Sequence, residues 1–390
     1  MNYYVKCERL DHFGRGITYI NGKIIFVKNL LPGEVANIKI TKSKKNYDIG
    51  KIVSLEKVSK DRVESKCPYI NCGCALKHLT YEKQLEFKEE KLKNILKKYT
   101  DLEGIVKPII EATNINGYRN KITLKVGSKV GYFENESNKL IEINRCELVS
   151  EKINKIISVL NKLDLSKVKE IIIKEFDQIM IIVKGTIDIT LLRSLVDSIY
   201  MNDKLVHGKP FITTKINNLI FQISKDSFFQ VNKEMTEKLY EKVISYCDKN
   251  QKLLDLYCGT GTMSLLLSDH FKEVIGIEIN KEAVLCANKN KEINNIQNVN
   301  FICGDVSKEI ENLKADIIIV DPPRSGLTKE GINDILKTNP NKIIYVSCDP
   351  MTLARDLNYF KENYNIKEVT PVDMFPNTYH VECVCLLEKM

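Results

Sequence analysis

Five short apolar runs in the C-terminal half of the chain constrain the fold more than any other feature. They are Leu253–Tyr257, Val274–Glu278, Phe301–Asp305, Ile317–Asp321 and Ile343–Ser347. They are continuous rather than alternating, as strands covered on both faces must be. Strands of that kind separated by helix-length stretches build an open parallel sheet with helices on both sides. In such sheets, ligands bind in the crevice at the carboxyl ends of the strands. The first run leads into Cys258-Gly259-Thr260-Gly261-Thr262, a glycine turn that lets the backbone approach a nucleotide. The last leads into Cys348-Asp349-Pro350, a thiol where a buried strand ends and a loop begins.

At 390 residues the chain predicts two to three domains. No apolar stretch approaches the roughly 18 residues of a membrane span. The polar start predicts no signal peptide. The twelve cysteines are therefore expected as reduced thiols, metal ligands or catalysts, in a cytoplasmic protein. The net charge is +8, and residues 1–60 hold twelve Lys/Arg against five Asp/Glu, a surplus of seven. Concentrated basic charge suits a phosphate-rich partner. The same segment reads as short strands, Val5–Leu10, Ile17–Ile20, Lys23–Val27, Val35–Ile40 and Gly50–Val53, with Asn21-Gly22 as a hairpin turn. Five strands with a positive surface describe an OB-like barrel. Here the chain resembles a TRAM domain, an RNA-binding module of that shape.

Cys67, Cys72 and Cys74 fall within eight residues. Such crowding points to a metal, with an iron–sulfur cluster completed by the distant Cys146, a zinc site using His78, and plain reduced thiols as the three alternatives. Residues 81–98 read as a helix. Beyond Tyr118-Arg119-Asn120-Lys121, strand-like runs alternate with helical segments near 150–163 and 190–200, and a helix is expected over 232–249. The expected organisation is a barrel domain at 1–58, a central α+β RNA-binding domain carrying the cysteine loop at 59–223, and an α/β Rossmann-like domain at 224–390.

In that last domain Glu278 stands where a carboxylate accepts hydrogen bonds from ribose hydroxyls, and Asp305 stands where it meets an adenine amine. This order of strand ends suits S-adenosylmethionine (SAM) methyltransferases. Asp321-Pro322-Pro323 is followed by Arg324, whereas amine methyltransferases favour an aromatic residue there. A thiol beside a methyl donor suggests covalent catalysis on a carbon too poor in electrons to be methylated directly, such as carbon 5 of uracil. A base must then remove the carbon 5 proton, and Glu382 and His380 are the titratable candidates. Arg324 and Arg355 are candidate RNA-backbone or active-site contacts.

Over nearly its whole length the chain resembles the RNA uracil-5 methyltransferase family, in its TRAM-bearing ribosomal branch. The matching stretches are Cys67-Pro68, Gly73-Cys74 with His78, Tyr118–Lys121, Ser227-Phe228-Phe229-Gln230-Val231-Asn232, Asp255–Gly261, Asp321–Gly326, Ser347–Pro350 and Asp373–Glu382. The resemblance implies Cys348 as nucleophile and Glu382 as proton acceptor. It implies SAM contacts from Gln230, Tyr257, Thr262, Glu278, Asp305 and Asp321, and a four-iron–four-sulfur (4Fe–4S) cluster on Cys67, Cys72, Cys74 and Cys146. The cysteine spacing departs from the family: four and one intervening residues replace five and two. The implied partner is 23S ribosomal RNA, methylated by a monomer. A transfer-RNA uracil methyltransferase and a non-catalytic RNA-binding assembly factor are the rival readings. The usual transfer-RNA form lacks both barrel and cluster, and an intact Cys348 and Glu382 argue for chemistry.

Overall fold

The computed structural model describes residues 2–135 and 137–390. The chain divides into two compact units. One comprises Met1–Lys91, Phe133–Ile141 and Phe375–His380; the other comprises Leu92–Tyr132, Glu142–Met374 and Val381–Met390.

The first unit carries a six-stranded sheet in the order Asn2–Lys6, Val35–Ser43, Tyr47–Lys57, Lys23–Val27, Gly16–Ile20, Arg9–Leu10. Alternation supplies its core: Val5, Cys7, Ile25, Val27, Leu30, Ala36 and Ile38 cluster inside. Asn21 and Gly22 both take positive φ, 51° and 78°, as a two-residue hairpin turn requires. The first expected strand is broken in two. At Cys7 and Glu8 the backbone changes partner, donating first to Glu34 O and then to Ile17 O. Glu34, fully buried, accepts both Nε and Nη2 of Arg62 and the amides of Leu31 and Ser59. Those four donors hold its carboxyl below the usual range despite burial.

The second unit contains one complete seven-stranded sheet and most of another. In one, the strands Lys204–Gly208, Ser198–Met201, Ile179–Gly185, Val168–Glu175 and Lys121–Val126 are hydrogen-bonded in that order. The expected helix near 190–200 does not form. Residues 190–195 make turns, and Ser198–Met201 lies parallel to Met180–Val183. Ile199, Tyr200 and Met201 favour a strand once a neighbour offers a ladder. The helix expected over 232–249 starts at the Asn232 cap and ends at Ile244.

The other sheet is the doubly wound one. Its order is Val299–Cys303, Glu273–Glu278, Lys252–Leu256, Ile317–Val320, Lys342–Ser347, Glu382–Lys389, Tyr364–Val372. The first five are parallel; Glu382–Lys389 pairs antiparallel on both sides. The strand direction of winding reverses between Lys252–Leu256 and Ile317–Val320. That switch point opens a crevice at the carboxyl ends. Leu254, Leu256, Ile318, Val320, Ile343 and Tyr345 are essentially buried, which accounts for the unbroken apolar runs.

Candidate active site

The residues that follow the sheet's carboxyl ends line an open cleft of about 670 Å³. Gln230, Asp255, Tyr257, Gly259, Thr260, Thr262 and Asp321 all contribute to its wall. Tyr257 leaves its strand with φ +65°, a left-handed conformation that costs a bulky residue on the order of 1–3 kcal/mol. It sits at the switch point, where such strain marks function. Gly261 has φ +71°, and a Cβ there would lie 2.4 Å from the Phe301 ring. Only glycine passes under that ring. Gly259 has open space in front of it.

Glu278 ends the neighbouring strand. Its two carboxylate oxygens accept the amides of Gly259 (3.1 Å) and Asn280 (2.8 Å), so the acid is locked onto the glycine turn. Thr262 Oγ1 lies 3.3 Å from Thr260 Oγ1 at the start of a short helix. Asp305 caps the next helix through Ser307 N at 2.9 Å and is exposed. Asp255 is buried and accepts the Ser264 hydroxyl. Burial pushes the Asp255 and Asp321 carboxyls well above their ordinary range, and each is raised further by a nearby acid, Glu278 for the first and Asp255 for the second. An acidic crevice of this kind favours a cationic ligand. The cleft and its surroundings fit SAM: a glycine turn, the Glu278 carboxylate held against that turn, and an unused buried acceptor. That acceptor is Asn120 Oδ1, buried without a hydrogen-bond partner while its Nδ2 donates to Gln230 O at 3.0 Å. The sequence marked Tyr118–Lys121 without giving Asn120 a role.

Cys348 stands between the strand Lys342–Ser347 and the helix Pro350–Phe360. Asp349 caps that helix through Met351 N (2.8 Å) and Thr352 N (3.2 Å), and Pro350 occupies the first turn. Ser347 is paired with Cys383 across the antiparallel ladder. The next position on each strand is therefore Cys348 on one and Glu382 on the other. The two sense each other electrostatically. Burial pushes the Cys348 thiol up to about 11, with Glu382 and Asp321 raising it and Arg324 pulling it down. Glu382 is 3% exposed. Burial raises its carboxyl to about 8, Asp321 adds to the rise, and Arg324 again opposes. Cys348, Glu382, Asp321 and Arg324 thus form one coupled set. His380, the other base suggested by sequence, belongs to the first unit.

Two supports of the site were not legible. Lys174 is 2% exposed, and its ammonium donates to three carbonyls, Ser224 (3.0 Å), Lys225 (2.7 Å) and Ser227 (2.9 Å). Those carbonyls precede Phe228-Phe229-Gln230, which line the cleft. Burial, aided by Lys121, lowers the ammonium to about 7. Replacing Lys174 by Met strands three buried carbonyls. We expect affinity for S-adenosylhomocysteine to fall roughly tenfold by calorimetry, at a cost of about 1–3 kcal/mol. Arg355 is the second support. Its guanidinium donates to Ser325 O and Leu327 O at 2.9 Å and to Asp356 at 2.7 Å. Asp356, fully buried, also accepts Leu327 N and the Tyr345 hydroxyl. Arg355 therefore fastens the turn after Arg324, while Arg324 itself is exposed.

The cysteine set stands differently. Cys67, Cys72 and Cys74 lie in the first unit around the single helical turn Ile70–Cys72, and Cys146 lies in the second. Cys146 N donates to Asn154 Oδ1 and its carbonyl accepts Asn154 Nδ2. Among the described residues, no group of three or more His, Cys, Asp or Glu is arranged to hold a metal. The four cysteines are divided between the two units, and no chemistry is routed through a cluster. Among those residues, too, no helix is long and apolar enough to cross a membrane.

Comparison with known proteins agrees with this geometry. The model of the tRNA (uracil-5-)-methyltransferase family matches residues 182–311 and 305–390, and that of the TRAM domain matches residues 2–53. An uncharacterized RNA methyltransferase of Caldanaerobacter subterraneus is 37% identical, covering 100% of this chain and 98% of its own. One from Oceanobacillus iheyensis is 35% identical over 99% of this chain and 96% of its own. The crystal structure of Pyrococcus abyssi tRNA (uracil-54, C5)-methyltransferase, in complex with S-adenosyl-L-homocysteine, aligns with a TM-score of 0.81 at 28% identity, over 99% of this chain and 100% of that one. With a barrel matched at its start and the strand-end thiol, acids and glycine turn at its sheet, this chain belongs to the SAM-dependent RNA uracil-5 methyltransferase family.

Proposed function

We propose that this protein methylates carbon 5 of a uridine in 23S ribosomal RNA through a covalent bond between Cys348 and carbon 6 of the base. The observation that carries the reading is the set of Cys348, Glu382, Asp321 and Arg324 at one end of the sheet, beside the cleft. Cys348 Sγ adds as the thiolate to carbon 6, and the ring electrons move onto oxygen 4, so that carbon 5 becomes nucleophilic. SAM, when bound, would supply an electrophilic methyl carbon to carbon 5, its sulfur–methyl bond breaking to leave S-adenosylhomocysteine. Glu382 then accepts the carbon 5 proton, the carbon 6–sulfur bond breaks, and Cys348 leaves as the thiolate. A carboxyl raised to about 8 is a stronger base than an ordinary glutamate and takes that proton more readily. Arg324, the cation that opposes the rise of both groups, stabilises the thiolate and the enolate oxygen. Gln230, Tyr257, Thr262, Glu278, Asp305 and Asp321 hold SAM on this reading. On this reading the protein acts as a cytoplasmic monomer, and its twelve cysteines suit a reducing compartment.

The target base lies inside folded RNA and must be flipped out, at a cost of a few kcal/mol that basic and stacking contacts offset. The resemblance to the ribosomal branch of the family favours ribosomal RNA. A second reading, transfer RNA, is favoured by the Pyrococcus abyssi enzyme, whose alignment takes in 99% of this chain. A barrel is therefore compatible with either substrate. Incubating the protein with labelled SAM and purified 23S or transfer RNA, then mapping the methylated nucleotide, separates them. We expect 5-methyluridine in 23S RNA at one or two positions. Incorporation confined to transfer RNA would reverse the substrate, and methylation at another atom would refute the mechanism.

A further inference from the structure

Five segments of the first unit that are distant in sequence line a second, open cleft of about 760 Å³. Its chemistry comes from Phe13 and Arg15 on one barrel loop, Lys28 and Asn29 on another, Asn71 in the shortened cysteine loop, and Tyr379 in the segment Phe375–His380. Phe13 is 51% exposed and packs edge-on to Tyr379, ring centroids 5.4 Å apart. Arg15 lies flat between two rings, 5.3 Å from the Phe13 centroid and 4.5 Å from that of Phe26, and its Nε donates to Asp11 at 2.7 Å. Asn29 Nδ2 donates to Asn71 Oδ1 at 3.1 Å, which fixes both amides. Lys28 Nζ donates to the Asn135 carbonyl at 2.9 Å, so its charge is anchored at the rim.

These groups suit one kind of ligand. Phe13, half-exposed, offers a stacking surface to a flat heterocycle, and Tyr379, itself packed against His380 at 4.3 Å, props that ring edge-on. The paired amides leave one acceptor on Asn29 and donors on Asn71, matching the mixed edge of a nucleobase. Lys28 and Arg15 supply positive charge for a phosphate. A purely apolar occupant would leave the amides unpaired, and an acidic peptide would not use the rings. Stacking demands a base already out of its helix.

We propose that this cleft binds a second unstacked nucleotide of the single-stranded part of the RNA substrate, separate from the uridine that is methylated. The inference rests on the reading that the protein acts on RNA. It makes target choice depend on two displaced bases, one for chemistry and one for register. Base stacking survives a change of base, so Phe13 and Tyr379 contribute affinity, whereas Asn29 and Asn71 contribute preference.

The test uses the full chain and a labelled single-stranded RNA oligonucleotide containing 4-thiouridine. Phe13→Ala is expected to weaken binding roughly tenfold and Asn71→Ala several-fold. Affinity for S-adenosylhomocysteine, which binds the second unit, and the far-UV spectrum should not change. Photo-crosslinks are expected in the peptides containing Phe13 or Tyr379. Phe13→Leu keeps the apolar bulk without the ring, so binding equal to wild type would overturn the stacking. Affinities within twofold of wild type for Phe13→Ala and Asn71→Ala, with crosslinks confined to the second unit, would overturn the second site and leave the RNA reading standing. No RNA binding by the wild type would overturn both. Displacement of the oligonucleotide by equimolar UMP or AMP would assign the cleft to a free nucleotide instead.

Discussion

Replacing Cys348 by alanine is expected to abolish methyl transfer while S-adenosylhomocysteine still binds. The loss should be on the order of 10⁴-fold or more, the scale seen when a covalent nucleophile is deleted. No other group in the coupled set can replace it, because Glu382, Asp321 and Arg324 are not nucleophiles toward carbon 6 in their resting states. The wild type should form a stable protein–RNA adduct with a substrate carrying 5-fluorouridine, because fluorine cannot leave as a proton. That adduct migrates slowly on a denaturing gel, and the alanine variant should not form it. Residual turnover near wild type, or an adduct in the variant, would assign the bond to another residue. A pH signature accompanies this result. With the thiol raised to about 11, alkylation of Cys348 by iodoacetamide in the cofactor-free protein should rise about tenfold per pH unit from 7 to 10.

Replacing Glu382 by glutamine should separate the two halves of the reaction. Addition and methylation need Cys348; elimination needs an acceptor for the carbon 5 proton. The variant should therefore accumulate methylated RNA bound to Cys348, with turnover reduced about 10²–10⁴-fold. A denaturing gel with labelled SAM detects the trapped species; free product at the wild-type rate would exclude Glu382 as the base. The same substitution changes stability with a definite sign. The Glu382 carboxyl titrates near 8 when folded, against about 4.3 for an ordinary glutamate. Between those values the unfolded chain has released the proton and the folded chain still holds it. Stability therefore declines as pH rises from about 4.5 to 8, by several kcal/mol for this group. Glutamine has no proton to release. The variant should be more resistant to urea than the wild type at pH 9 and nearly equal at pH 4, and at pH 9 Cys348 should alkylate faster because a neighbouring negative charge is gone. A smaller advantage at pH 9 than at pH 4 would refute the burial of an ionisable acid.

Much of the C-terminal architecture was legible because its physical cause is local. A strand covered on both faces must be apolar throughout, so Ile317–Val320 and Ile343–Val346 declared themselves. Gly261 was legible as part of a glycine turn, although the ring that excludes a Cβ there belongs to Phe301, forty positions away. The Asn21-Gly22 turn and the Asn232 cap are fixed by neighbours in sequence. The stretch near 190–200 was misread for the opposite reason. Its strand exists because Met180–Val183 lies alongside, and no local pattern encodes that partner.

Sequence by itself determined that this chain builds a nucleotide-type crevice with a thiol at a strand end, since each of those features depends on a few adjacent residues. Tertiary structure alone decided what the thiol faces. Cys348 and Glu382 lie 34 positions apart and meet because two strands pair antiparallel at the sheet's end. Lys174 reaches across fifty residues to three carbonyls, and Arg355 across thirty to the turn behind Arg324. Those contacts set charge, burial and reach, and such quantities depend on long-range packing that no short motif records.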